Sequence, residues 1–352
     1  MNDAGVVAIG MGAATPVGRD AWATAAAVRA AISGFSEHPY ISDSEGEPLR
    51  VAAAPWIDIS AEADERFAQL LLPAMDQALE PLRRTSDVKP RVACALCLPA
   101  PRPGLPEALD SVLREGVLQR YREHISTIAL FSAGHAAGFM AMDAALQRIA
   151  GDTFDMCLIA GVDSYLEADT LEWLEENDRV HGAGPLNNAW GFIPGEGAGA
   201  VLLASAGAAQ RYGLEPLGRL LSAGQGFEQN RIYTDTVCIA EGLTQAFHAA
   251  LAGAPSGGKV SDVYCDLNGE PYRADEYGFT ALRTKESFAA VSDFVAPASC
   301  WGDVSSATAP LLTTLALIAG AKKYAKGRLA VAWASSESGE RAAVLIDTQP
   351  GC

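Results

Sequence analysis

At 352 residues, 49% hydrophobic and 20% charged, with 34 glycines, the chain carries enough apolar sequence for a large core built from one big or two fused α/β units. Its 26 basic and 43 acidic residues give a formal charge of −17, dispersed rather than blocked, which argues against a nucleic-acid or anionic-membrane surface. Seven cysteines, an odd number and mostly inside apolar runs, read as reduced core thiols of a cytoplasmic protein; the longest apolar run, Ala309 to Ala321, is too short to span a bilayer.

The opening MNDAGVVAIGMG has no basic segment and no small-residue cleavage site, so no signal peptide is expected. Val6 to Gly12 reads as a buried strand, Ala13 to Gly18 as a small-residue turn, and Asp20 as the cap of a helix running to about Ala31. Residues 34–60, rich in Ser, Pro and Glu, read as an irregular excursion. A second helix is expected from Ala61 to Leu82, a link from Arg83 to Pro90, and a strand from Arg91 to Leu98. Cys94 and Cys97 form a CxxC inside that strand, where positions three apart face opposite ways, so no zinc site is expected. A Pro-rich loop, Pro99 to Gly104, precedes a polar helix ending near His124.

The stretch from Ser132 to Ser164 organises the rest. A turn, Ser132-Ala133-Gly134-His135, opens a helix from Ala136 to Ala150 that is apolar on nearly every face; Gly151-Asp152 breaks it, and Met156 to Gly161 reads as a fully buried strand. A helix without a polar face must be wrapped by protein, and a short continuous apolar strand fits a sheet covered on both sides. His135 is thereby presented at the mouth of a buried helix, where free backbone N–H groups favour negative charge. Glu167 to Asn177 is amphipathic and Arg179 to Asn188 a loop. Trp190 to Ala200 then leads into a strand, Val201 to Ala204. Its glycines precede a strand instead of opening a helix, and no GK[ST] follows, so this is neither a dinucleotide fingerprint nor a P-loop.

From Gly207 the grammar repeats: strand Pro216 to Ala223, helix Ile239 to Leu251, strand Val263 to Asn268, helix around Arg273 to Arg283, buried helix Ser305 to Ala319, and strands Arg328 to Ala334 and Arg341 to Asp347. Two halves are expected, 1–206 and 207–352, whose sheets sandwich a pair of central helices.

Four segments carry a family resemblance. Val6 to Gly18 resembles the opening strand and turn of the β-ketoacyl synthases of the thiolase superfamily; Trp190 to Leu203 resembles their DGFVxGEGAGALVL segment; Asp155 to Gly161 resembles the strand after their nucleophile helix; and Pro297 to Leu317 lies without gaps on their TKSxxGHxxGAAG helix. The resemblance implies an α/β fold of duplicated thiolase-like halves, layered αβαβα, with mixed five-stranded sheets. It also implies a dimer, which the notion of strand pairing beside the nucleophile assigns to Asp155 to Asp163. Members of the family condense acyl and malonyl thioesters with a nucleophilic Cys at the buried helix N-terminus and two His from the second half. Counting back from Asp155 without a gap puts His135 at the nucleophile position; an alternative alignment, needing an insertion, puts Leu130 there. Asn268 and Asp303 stand where the two His are expected, Ala298 replaces the supporting Lys, and Ser335 to Gly339 replaces a Gly-Phe-Gly-Gly run. Residues 206–352 hold a single histidine, His248, so the Cys-His-His set cannot be assembled.

The candidate site is therefore His135, Asn268 and Asp303, with Ser132, Phe192, Glu270 and Cys300 as candidate substrate contacts. His135 has a general-base reading, because imidazole titrates near neutrality, and a space-filling one. A metal held by Asp266, Glu270, Asp303 and His135 lacks diagnostic spacing, and no metal or cofactor is expected. The function expected first is a synthase-like protein without condensing activity, acting as a partner, scaffold or acyl-ligand binder. The alternative is a diverged acyltransferase or thioester hydrolase using His135 with Asn268 and Asp303, and an active 3-oxoacyl synthase is third. Expected partners are a second copy or a synthase-like subunit, with acyl carrier protein or an acyl thioester; nucleic acid and membrane are not expected.

Overall fold

The computed structural model describes residues 5–84, 90–150, 153–185, 187–232, 234 and 236–349. Most of the link expected at Arg83 to Pro90, and the Gly151-Asp152 breaker, lie outside them. In chain order come β1 (Val6–Ala14), α1 (Ala21–Arg29), β2 (Ser36–Ser42), β3 (Pro48–Val51), α2 (Ala63–Leu79), β4 (Val92–Cys97), α3 (Leu109–Tyr121), β5 (Ile125–Phe131), α4 (Ala137–Ala150), β6 (Met156–Ser164), α5 (Ala168–Glu176) and β7 (Glu196–Ser205). They are followed by α6 (Ala206–Arg211), β8 (Gly218–Phe227), α7 (Glu241–Leu251), β9 (Val260–Cys265), α8 (Pro271–Thr284), β10 (Phe294–Val295), α9 (Ala298–Trp301), α10 (Thr308–Ala321), β11 (Leu329–Ser335) and β12 (Glu340–Asp347).

The strands lie in the order β5-β4-β6-β7-β1-β8-β12-β11-β9-β10. Working outward from the middle, β1 is antiparallel to β7, β7 antiparallel to β6, and β6, β4 and β5 are parallel. The other side repeats this, with β8-β12-β11 antiparallel and β11-β9-β10 parallel. Where two separate five-stranded sheets were expected, the strands form one ten-stranded order, because β1 and β8 pair briefly over Val6–Ala8.

Side-chain alternation along the strands sorts the core into layers. Ala8 of β1, Ile159 of β6, Ala332 of β11 and Val344 of β12 face inward onto α4 and α10. Val7, Leu158 and Leu202 face outward onto α2 and α3. Val331, Trp333 and Leu345 face α7 and α8. The result is helix, sheet, helix, sheet, helix. α10 is buried from Thr308 to Gly320, as a helix with no polar face must be. It meets α4 where a Cβ on Gly138 would stand 2.6 Å from the Ala309 Cβ, so the central helices touch backbone to side chain. Cys94 and Cys97 point into different layers, as the strand pleat requires.

Three expectations change. Residues 34–60 contain the β2–β3 hairpin, hidden in the sequence because β2 is mostly exposed and polar and carries a proline. The glycine-rich run does not merely precede a strand: β7 begins at Glu196, whose buried carboxylate accepts from Ala54 N (2.7 Å), Ser164 Oγ (2.9 Å) and Arg66 (3.1 Å). Finally, β6 is not a dimer edge, since Asp155 to Asp163 runs through an interior strand hydrogen-bonded to β4 and β7 on its two sides. Among the described residues the open edge of that side is β5, which pairs with β4 alone.

Candidate functional site

The site is assembled from the entries of the two central helices. Before α4, Gly134 takes φ +62°, a conformation that costs glycine nothing, and turns the chain into a 3₁₀ segment, Gly134–Ala136. Before α10 the equivalent segment is Ser305–Ala307. His135 sits in the first and Asp303 just ahead of the second, so packing α4 against α10 forces the two side chains together.

They are hydrogen-bonded. His135 Nε2 lies 2.8 and 3.0 Å from the two oxygens of Asp303, with both residues buried. Asp303 also accepts from Asn268 Nδ2 (2.7 Å) and from the Ser305 amide (2.9 Å). Asn268 in turn donates to Glu270 Oε2 (2.9 Å). Two arginines close the network. Arg273, fully buried, donates to Asp266 Oδ2 (2.7 Å), to the Ser335 carbonyl (2.7 Å) and to Glu270 (3.3 Å). Arg179 reaches Glu270 (2.6 Å) and Glu337 (2.8 Å). Arg273 also approaches His135 Nε2 at 3.4 Å. Because that nitrogen donates its proton to Asp303, the approach is donor against donor and not a hydrogen bond.

Charge follows from this packing. Burial pushes the Asp303 carboxyl up, but His135 and Arg273 beside it outweigh burial and hold it well below the usual carboxylate range. Asp266 goes the other way: burial raises it, and Arg273 offsets only part. Glu337 is held low against burial by Arg179. One amide at this helix entry is also occupied, since Ala136 N donates to Ser336 Oγ (2.9 Å), whose hydroxyl donates to the Ala133 carbonyl. Space is equally short. The cavity bounded by His135, Asp266 and Asp303 measures about 10 Å³, room for a single water at most. A second, of about 70 Å³, lies on the other side of His135 under Arg102, Tyr165 and Ser336. A thioester fits neither.

A family model, "Beta-ketoacyl synthase, N-terminal domain", matches residues 129–209. No curated protein matches the chain by sequence. Among solved structures, a type II polyketide acyl-carrier protein in complex with its ketosynthase (AntDE:AntF) gives TM-score 0.78 at 15% identity, covering 97% of this chain and 99% of that one. The ishigamide ketosynthase/chain length factor gives 0.76 at 17% identity, over 97% and 98%. A β-ketoacyl synthase from Burkholderia phymatum STM815 gives 0.73 at 16%, over 97% and 99%. This is a β-ketoacyl-synthase-like thiolase fold.

In this synthase-like protein the fold brings together His135, Asn268, Asp303 and Glu270, and leaves the other candidates outside. Ser132 is exposed on the far side of the turn. Leu130, the alternative nucleophile position, is an exposed residue of β5. Phe192 is buried against Tyr165 and meets the network at Arg179, whose guanidinium is 5.1 Å from its ring centroid and whose carbonyl accepts from its amide (2.8 Å). Cys300 is buried, its thiol raised by burial, and it does not line the cavity beside His135. The four residues considered for a metal, Asp266, Glu270, Asp303 and His135, are each already paired, with Arg273, Arg179, Asn268 or one another, and of their carboxylate oxygens only Asp266 Oδ1 is left without a partner.

The sequence did not announce Arg179, Arg273 or Ser336. One signal was available for Arg273. It follows Glu270 by three residues across a helix start and stands seven after Asp266, a spacing suited to an ion pair. Arg179 and Ser336 come from a loop and a strand end, where nothing local marks a partner.

Proposed function

We propose that this protein is a non-condensing, synthase-like subunit that pairs with an active ketosynthase, as the ketosynthase/chain length factor structure combines two such roles. One observation carries this: His135, which the resemblance places at the nucleophile position, is hydrogen-bonded to Asp303, itself held by Asn268, beside a cavity of about 10 Å³. A condensing site needs an activated nucleophile, donors for the carbonyl oxygen and room for two thioesters. Here the nucleophile is absent, the amide after it is bound, and buried ion pairs fill the space. The same lack of room weighs against a hydrolase or acyltransferase built on His135.

The partner surface is the outer edge of β5, where Ser126, Thr127, Ala129 and Leu130 are exposed and one row of backbone groups is unpaired. The chain is a duplication of halves 1–206 and 207–352, a division supported by the repeated strand order. Six free cysteines among the described residues support a reducing, cytoplasmic setting, and no helix there is long and apolar enough to cross a membrane.

The test is condensation of acyl- and malonyl-carrier protein by the purified chain, alone and mixed with an active ketosynthase. The chain alone gives no ketoacyl product. Mixed, the two form a stable pair at equal stoichiometry, which Leu130→Lys and Ser126→Pro in β5 disrupt. Turnover by the chain alone overturns the proposal.

A further inference from the structure

A far roomier cavity than those beside His135 lies elsewhere among the described residues. An open cleft of about 830 Å³ lies between the start of α1, the C-terminal end of α2 and the 212–217 connection, floored by Ile9 to Met11 of β1. Small-molecule sites span roughly 300–1,000 Å³, so this one is large enough to bury an organic ligand.

Its lining has a distinct chemistry. Trp22, Tyr212 and Leu217 supply aromatic and apolar surface, while Asp20, Glu80 and Glu215 supply carboxylates; no Lys, Arg or His is among the described lining residues. Trp22 is 47% exposed, unusual for the largest side chain on a helix whose other face packs into the core. Its ring already accepts a cation, with Lys322 Nζ 4.8 Å from the centroid. The frame is rigid. Gln77 Oε1 accepts from Ala13 N (3.1 Å) and Ala21 N (3.0 Å), and its amide donates to the Ala13 (3.0 Å) and Arg19 (3.1 Å) carbonyls. Asp20 caps α1 through Ala23 N at 2.8 Å. Gln77, itself a lining residue of α2, therefore ties the α2 wall to the first residue of α1 and to the end of β1 beside the cleft. An aromatic face with the Asp20 and Glu215 carboxylates on the same lining selects positive charge on an apolar body.

We propose that this cleft is a binding site for a small organic cation of the aryl- or alkylammonium class, independent of the His135 network. The cation rests against Trp22 and Tyr212, with Asp20 and Glu215 supplying the countercharge. Lys322 competes for the Trp22 ring, so its removal strengthens binding.

The experiment is calorimetric titration of the full chain with benzyltrimethylammonium, alongside benzyl alcohol and phenylacetate as neutral and anionic counterparts. Fluorine NMR of protein carrying fluorotryptophan reports the site, the Trp22 signal being assigned by its loss in Trp22→Phe. Saturable binding of the cation that moves the Trp22 signal is expected, with the neutral and anionic counterparts at least tenfold weaker. Trp22→Leu weakens the cation about threefold to fivefold. Glu215→Gln and Asp20→Asn each weaken it about threefold, and Asn keeps the α1 cap so that the fold survives. Lys322→Met tightens it. Equal binding of benzyl alcohol, an unmoved Trp22 signal, or affinity unchanged in all four variants overturns the proposal. So does binding only of a lysine-rich peptide, which assigns the cleft to a protein segment instead.

Discussion

Replacing Asp303 by Asn tests the network at its centre, because Asn keeps the shape and removes the charge. In the native protein the carboxylate accepts from His135 Nε2 (2.8 and 3.0 Å), Asn268 Nδ2 (2.7 Å) and Ser305 N (2.9 Å), all away from water. In the variant one acceptor becomes an NH₂ group that faces another donor, and Arg273 loses a buried countercharge. Breaking a buried pair by removing one partner costs about 3–5 kcal/mol. For 352 residues the unfolding entropy is about 0.7 kcal/mol/K, so Tm falls by about 4–7 °C. The sign with pH is fixed by the direction of the shift. A carboxyl held below its unfolded value contributes stability that is fully present above about pH 4 and is lost as pH falls toward the folded value. The difference between wild type and variant therefore narrows below about pH 4. Differential scanning fluorimetry and denaturant titration across pH measure both quantities. A Tm change under about 2 °C, or a difference that widens in acid, refutes the claim that Asp303 anchors the site electrostatically.

Other expectations follow from the same packing. His135→Ala leaves the buried Asp303 carboxylate without one of its hydrogen-bond donors and lowers stability by about 2–4 kcal/mol. If His135 is structural, any background thioester hydrolysis is unchanged by that substitution, whereas a catalytic His135 makes hydrolysis vanish. Gly138→Val drives a branched side chain into Ala309, 2.6 Å from the Cβ position, and costs about 1–3 kcal/mol; Ala309→Gly in the same chain restores part of it, as urea midpoints show. Burial pushes every described thiol up, Cys238 to about 11 and Cys157 to about 12. With Cys352 changed to Ser, thiol reagents at pH 8 should label the native chain slowly and the denatured chain at once.

The layered fold was largely legible, because its signals are local. Continuous apolar runs such as Val6 to Gly12 and Met156 to Gly161 have one physical solution, a strand covered on both faces. The apolar helix after His135 and its counterpart after Ser305 can only be central. Less was legible at the margins. β5, with Ile125 its only fully buried residue, carries no pattern that distinguishes an edge strand from a loop, and the β2–β3 hairpin is held by a few backbone pairs between exposed polar residues. That same blind spot put the partner edge on β6, which is too well buried on both sides to serve.

The sequence by itself determined that a histidine stands at the mouth of a buried helix and that no second-half histidine can face it. It also determined the type of fold, since hydrophobic period and glycine placement are properties of the chain alone. Only the tertiary structure decided what His135 does there. Its hydrogen-bond partner Asp303 lies 168 residues away on the approach to α10, and Arg273 of α8 approaches from 138 residues away; His135 and Asp303 meet because two central helices pack at their entries. Ion-pair choice among four acids and two arginines depends on distances of a few ångströms, which no spacing along the chain encodes.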